Sequence, residues 1–226
     1  MVIDLGYGLS HFMPILHGYP IPFAYLWSDI AGKDLTEYMN KLLHSLGKYF
    51  SKTNERNIID KIKEKACYVS LDFEEELKSF DPFDYELPDG TYAILKNERI
   101  WCPEGLFRPI FIGKDGDGIS QTCYDSIERC KNNCQVDVRK DLCNNIILSG
   151  GTSMFNGLPE RLRKEMKGIV PEFLKEEVKV IASPDRKFAV WIGGSILSSI
   201  STFESKWITK TEYEESGPAI VHRKCN

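Results

Sequence analysis

What the chain lacks sets its first limits. It has no apolar run near the roughly 20 residues that span a bilayer, so no membrane-crossing helix is expected. Its start, Met1-Val-Ile-Asp4, has no basic segment followed by a long apolar one, so no secretory leader is expected. Positive charge is not in excess: 29 Lys and Arg stand against 33 Asp and Glu, a formal charge of −4, which argues against a broad basic surface for nucleic acid. Four of the seven cysteines lie close together (Cys123, Cys130, Cys134, Cys143), but there is no CxxC pair and no nearby histidine. The spacing therefore favours free thiols in a reducing compartment, the cytoplasm, over a metal site. Internal repeats and low-complexity tracts are also missing.

What is present is enough for one large domain or two small ones, since 226 residues can bury a sizeable core. Asp4-Leu-Gly6-Tyr-Gly8 reads as a strand entering a tight glycine turn, and Leu9 to Ile15 as the returning strand. Leu35, Tyr38, Met39, Leu42 and Leu46 fall at helical spacing from about Lys33, and Gly47 ends that helix. Thr53 or Asn54 can cap the next one, with Ile58, Ile59, Ile62 and Ala66 inward and Lys61, Lys63, Glu64 and Lys65 on the exposed face. Glu86-Leu-Pro-Asp-Gly90 predicts a turn between short strands. Ser120 can cap a helix that carries Ile119, Cys123, Ile127 and Cys130 on one face, and 131–135 reads as a loop. Ile146-Ile-Leu148 and Val178 to Ile181 read as strands, and Phe188 to Ile200, apolar on most sides, as a buried helix. Thr209-x-x-Glu212 is a capping box. Strands alternating with helices after an antiparallel hairpin argue an α/β fold with a mixed sheet.

Two glycine turns carry the chemistry. The turn at Gly6 and Gly8 can present bare N–H groups to a phosphate. Ser149-Gly-Gly-Thr152, between a strand and a helix, can do the same. Either turn alone is equally a plain connection; together they point to a phosphorylated ligand. Lys63 and Glu64 read as a nucleoside contact or as a solvated face. Lys187 reads as a base or ribose contact or as a surface lysine. His11 orients a water or is structural.

Longer motifs narrow the choice. Leu35-Thr-x-Tyr38, Ile62-Lys-Glu-Lys65, Tyr85-Glu-Leu-Pro-Asp-Gly90, Asp137-Val-Arg-Lys-Asp-Leu142, Leu148-Ser-Gly-Gly-Thr152, Trp191-Ile-Gly-Gly-Ser-Ile-Leu197 and Ser216-Gly-Pro-Ala-Ile-Val-His-Arg-Lys-Cys225 resemble the C-terminal portion of actin, end to end. The resemblance implies an α/β, actin-like ATPase (ribonuclease H-like) fold. Residues 1–187 would form the second actin lobe, and 188–226 the C-terminal piece of the first. It implies ATP or ADP with Mg²⁺ or Ca²⁺. Asp4 would face the metal through water; Gly6, Gly8 and Leu9 would offer backbone to phosphate; His11 would order the attacking water. Gly32, Lys63, Glu64, Gly150, Gly151, Thr152, Met154 and Lys187 would line the nucleoside pocket. A groove near Gly18, Ile192, Ile196, Leu197 and Thr202 would take actin or actin-binding proteins, and chaperonin is a further implied partner. The implied location is the cytoplasmic cytoskeleton.

Departures from the family pattern temper these expectations. The first lobe's phosphate hairpin and water-positioning residues have no counterpart here, which reads as a truncated relative. Leu5 and Tyr7 replace a serine and a carboxylate, Asp60 an arginine, Phe155 a tyrosine and Lys206 a methionine. The loop Gly113 to Asp117, in place of a hydrophobic plug, carries Lys114 and two aspartates. The expectation is weak nucleotide binding, weak or absent hydrolysis and impaired polymerisation. The alternative is an ATP-binding filament subunit.

Overall fold

A computed structural model describes residues 1–50, 55–79, 81–133 and 137–225. The chain forms two compact units, Met1–Lys187 and Phe188–Asn226. The first unit is built on a five-stranded mixed sheet. Strands β1 (Val2–Leu5) and β2 (Ser10–Met13) make the expected antiparallel hairpin, with Ile3 opposite Phe12 and Asp4 opposite His11. A short ribbon, β3 (Ile15–Leu16) with β4 (Tyr19–Pro20), turns at Gly18 and leads to β5 (Leu26–Ser28), which pairs antiparallel with β2. Two further strands, β8 (Ile146–Ser149) and β9 (Val180–Ile181), add in parallel, giving the order β5-β2-β1-β8-β9. Between β5 and β8 in the chain lies a separate two-stranded sheet of β6 (Phe83–Glu86) and β7 (Tyr92–Leu95), joined by the turn at Asp89-Gly90.

Side chains alternate across a strand, so one sheet face carries Ile3, Leu5, Phe12 and Leu148, all buried. Helices α1 (Gly32–Ser45) and α2 (Arg56–Ala66) pack together and on α4 (Glu98–Glu104); α3 (Phe73–Glu76) is a single turn. Helices α5 (Ile119–Asn133) and α7 (Leu158–Ile169) pack on each other, with α6 (Arg139–Asn144) beside α5. Ile119, Cys123, Ile127 and Cys130 form the buried stripe of α5, as their spacing predicts, and Leu158, Leu162 and Met166 that of α7. In the second unit, α8 (Ala189–Ser198) is followed by α9 (Lys210–Ser216) and α10 (Val221–Lys224). The capping box on α9 is present: Thr209 Oγ1 accepts from Glu212 N–H at 3.2 Å, and Glu212 accepts from Thr209 N–H at 2.9 Å.

Five expectations are corrected. Leu46 is exposed beyond the end of α1, and Leu43 takes its place in the core. Lys63 is buried on α2, not exposed with Lys61, Glu64 and Lys65. Helix α5 starts at Ile119, so Ser120 lies inside its first turn; its hydroxyl is buried and caps nothing. Residues 131–133 continue α5 instead of forming a loop, while Cys134 and Gln135 lie outside the described residues, as do Thr53 and Asn54. No residue of α8 is buried, although its sequence is apolar on most sides; its unit is too short to build a core around it.

A buried ion pair ties α4 to α7. Arg161 grips Glu104 with two bonds, Nη1 to Oε2 at 3.1 Å and Nη2 to Oε1 at 3.0 Å, and donates to the Ser70 carbonyl and to Glu165. Burial pushes the Glu104 carboxyl above its ordinary range, and Arg161 works against that rise. A raised carboxyl pKa favours folding at low pH and loses that contribution as pH rises through the folded value. Arg161→Ala removes both close bonds to the buried Glu104 carboxylate and leaves it only the half-exposed Arg108, whose Nε lies 3.3 Å from Oε1. It should cost about 3–5 kcal/mol at neutral pH. Part of that loss should return at acid pH, where Glu104, its carboxyl raised by burial, takes up a proton. Urea unfolding at the two pH values measures both.

Candidate functional site

The turn between β1 and β2 is held from two sides. Gly6 N–H donates to the Leu9 carbonyl at 3.0 Å and closes the hairpin. The Gly6 carbonyl accepts from Gly32 N–H at 3.1 Å and from Thr152 Oγ1 at 2.8 Å, and the Tyr7 carbonyl accepts from Lys33 N–H at 2.7 Å. Gly32 and Lys33 open α1, whose first N–H groups have no partner within the helix. The hairpin's carbonyls supply those partners, and Asp34 adds one bond to Ala31 N–H at 3.0 Å. In a trans peptide the N–H points opposite to the C=O. Aiming the Gly6 and Tyr7 carbonyls at α1 therefore aims the Tyr7 and Gly8 N–H groups away from it. Those two N–H groups, and that of Leu9, have no acceptor among the described residues. Of the three expected phosphate donors, Gly8 and Leu9 have unengaged N–H groups. Gly6 does not, and Tyr7 stands in its place.

The second glycine turn crosses directly over β1. Gly150 has φ of 87°, and a Cβ there would meet the Leu5 carbonyl oxygen at 2.3 Å, so only glycine fits. A Cβ on Gly32 would meet Thr152 Oγ1 at 2.5 Å, which sets how closely α1 approaches this turn. Gly151 opens a 3₁₀ turn to Met154 with free space beside its Cα, and Met154 is exposed. Arg186 pins the following segment: its Nη2 donates to the Ser153 carbonyl at 3.1 Å, and its own carbonyl accepts from Gly150 N–H at 3.0 Å. Lys187, next in the chain, is exposed.

The sheet face opposite the core carries a polar row. Register places Asp4 opposite His11 on one side and opposite Ser149 on the other, with Trp27 beyond His11. Asp4 Oδ1 and Ser149 Oγ are both buried without a hydrogen-bond partner among the described residues. An orphaned carboxylate oxygen beside an orphaned hydroxyl suits a hard cation or its water shell, and the three free N–H groups suit a phosphate. The residues present thus fit a nucleotide with a divalent cation. His11 Nδ1 lies 2.6 Å from the Tyr25 hydroxyl.

Lys63 is brought to this region, and Glu64, its exposed neighbour, is not. The Lys63 ammonium donates to the Gly32 carbonyl at 3.0 Å, to Thr36 Oγ1 at 2.6 Å and to Asp60 Oδ1 at 3.1 Å. An ammonium has three protons, and all three are engaged. The Tyr7 ring lies 5.7 Å from the same nitrogen. Gly18, Ile192, Ile196, Leu197 and Thr202 lie in different units: Gly18 in the β3–β4 turn, the others on α8 and the segment after it. Ser149, Tyr25, Thr36 and Arg186 were not singled out from the sequence. Asp60 and Lys63, three apart on one helix, offered the only spacing signal for any of these contacts.

A mixed sheet with a phosphate-type turn at its first hairpin and a second glycine turn after a parallel strand defines an actin-like ATPase fold. A family model described as Actin matches residues 1–226, and the chain belongs to the actin family.

Two substitutions separate folding from binding here. Asp4→Asn should leave unliganded stability unchanged or raise it by about 1 kcal/mol, since it neutralises a carboxylate that has a buried, unpartnered oxygen. It should also weaken metal-dependent nucleotide binding at least tenfold in a titration. Gly150→Ala should instead cost about 3 kcal/mol in chemical unfolding, from the clash and the left-handed backbone together.

Proposed function

We propose that this actin-family protein takes an adenine nucleotide with a divalent cation at the two glycine turns, binds it weakly, hydrolyses it little or not at all, and assembles poorly into filaments. In this reading Met1–Lys187 is the second actin lobe, and Phe188 onward the C-terminal piece of the first. Tyr7, Gly8 and Leu9 offer N–H groups to phosphate. Asp4 and Ser149 hold the cation or its waters. Gly32, Gly151, Thr152, Met154 and Lys187 line the nucleoside side. A bound divalent cation would neutralise phosphate charge and polarise a phosphoryl oxygen.

The engaged Lys63 carries this proposal. A nucleotide seeking that ammonium must displace Asp60 or Thr36, and Asp60 adds a negative charge where an anionic ligand would lie. Charge-assisted bonds contribute about 1.5–3 kcal/mol each, so losing two or three shifts a nanomolar site to about micromolar. Tyr7 supplies no carboxylate toward the cation, and a neutral phenol is a poor substitute.

The loop after Ile112 supports the assembly part. Lys114 bonds the Asp29 carbonyl at 2.7 Å and pairs with Asp29 and Asp34 at 2.9 Å each. Burial pulls its pKa down, yet the Asp34 and Asp29 carboxylates hold it above the ordinary lysine value. A polar loop tied back in this way is poorly suited to insert into an apolar site on a neighbour. Docking of actin or actin-binding proteins, handling by chaperonin, and a cytoplasmic cytoskeletal location belong to the same proposal.

A second reading, an ATP-binding filament subunit, draws on the orphaned Asp4 oxygen and the free N–H groups, which are in place to bind. Titration with ATP and Mg²⁺ decides between the two. Affinity of about micromolar or weaker is expected. Sub-micromolar binding with metal-dependent phosphate release, or filaments pelleted from this chain alone, would favour the second reading. Asp60→Asn should tighten ATP binding about tenfold by removing the competing carboxylate.

A further inference from the structure

We propose that Tyr25 is a positioning residue that fixes the tautomer of His11, so that the imidazole offers an N–H donor and no free basic nitrogen. His11 lies opposite Asp4 in the sheet register, on the face that carries the polar row. Tyr25 lies just before β5, the strand that pairs with β2 along His11. The two rings stack with centroids 6.0 Å apart and planes inclined by 18°, and the hydroxyl sits 2.6 Å from Nδ1. No other hydrogen bond of the Tyr25 hydroxyl is present among the described residues.

The direction of that bond follows from acidity. A phenol is a far stronger acid than the N–H of a neutral imidazole, so the bridging proton belongs to oxygen and Nδ1 accepts it. A neutral imidazole has one N–H and one acceptor nitrogen. With Nδ1 accepting from Tyr25, the ring proton resides on Nε2. His11 makes no second ring hydrogen bond among the described residues, so Nε2–H is available to an oxygen acceptor: a phosphate oxygen or a water. It can hold such an oxygen in place, but it cannot take a proton from a water while it carries its own. Tyr25 thereby turns His11 from a candidate base into a donor. The inference deepens the nucleotide reading at the same site and rests on it only for the identity of the acceptor.

The test uses the 226-residue chain without nucleotide. Long-range proton–nitrogen NMR correlation on protein labelled with ¹⁵N-histidine reads which nitrogen is protonated, and the shift pattern itself distinguishes the neutral tautomers from the imidazolium. The expected result is one tautomer, with Nε2 protonated and Nδ1 bare. In Tyr25→Phe the His11 signals should move toward an averaged pair, because the Phe ring keeps the stacking and removes only the hydroxyl. A protonated Nδ1 in the parent chain, or identical His11 nitrogen shifts in Tyr25→Phe, would overturn the proposal. ATP binding is scored on the same samples: its absence would sink the nucleotide reading and leave the tautomer result standing.

Discussion

Everything at the candidate site hangs on two carbonyl groups. Those of Gly6 and Tyr7 satisfy the first N–H groups of α1, and Gly6 also receives the Thr152 hydroxyl. Helix α1, the β1–β2 hairpin and the β8 turn therefore meet at one peptide unit. Their meeting forces the opposite edge of the turn to present its N–H groups outward. An array of outward N–H donors thus arises as the other side of a helix cap. The close approach needs glycine twice: Gly32 lets α1 reach Thr152, and Gly150 lets the β8 turn cross β1. Enlarging either residue would move the helix or the turn, and the donor array with it.

Around that unit the molecule divides its polar groups into satisfied and unsatisfied ones. Arg161, Glu104 and Lys63 are buried and fully engaged; the first two join helices distant in sequence, and Lys63 joins the consecutive α1 and α2. Asp4 Oδ1 and Ser149 Oγ are buried and engaged with nothing among the described residues. Each such orphan costs about 1–3 kcal/mol in the folded state. Other buried side-chain atoms without a partner, such as those of Asn40, Ser70 and Ser120, lie elsewhere, but these two are neighbours in the sheet register and lie next to the free N–H groups. Lys63 shows the reverse change. Asp60 satisfies it internally, which strengthens the α1–α2 contact and leaves the ammonium no free proton.

Local patterns made much of the fold legible. Period-four apolar spacing located α1, α2 and α5; Pro88-Asp-Gly90 located the β6–β7 turn; Thr209-x-x-Glu212 located the start of α9. Each signal acts over one or two helical turns, within reach of the residues that carry it. The misses share the opposite character. Lys63 read as exposed because charge normally is; only the packing of α2 on α1 brings its ammonium to Gly32 and Thr36. Helix α8 read as buried because its sequence is apolar, but burial depends on what surrounds a helix and not on its composition. Tyr25 carried no signal at all, since its meeting with His11 needs β5 to pair with β2 in one register.

By itself the sequence determined the family, the order of strands and helices, and the two glycine turns, because these depend on residue identity and short spacing. The tertiary structure alone decided which groups in those turns are free to act. It turned the Gly6 N–H inward and the Tyr7 N–H outward, engaged Lys63 with Asp60, left Asp4 and Ser149 without partners, and joined His11 to Tyr25. Hydrogen bonds are directional and each donor proton serves one strong bond, so availability is settled only when every neighbour is in place.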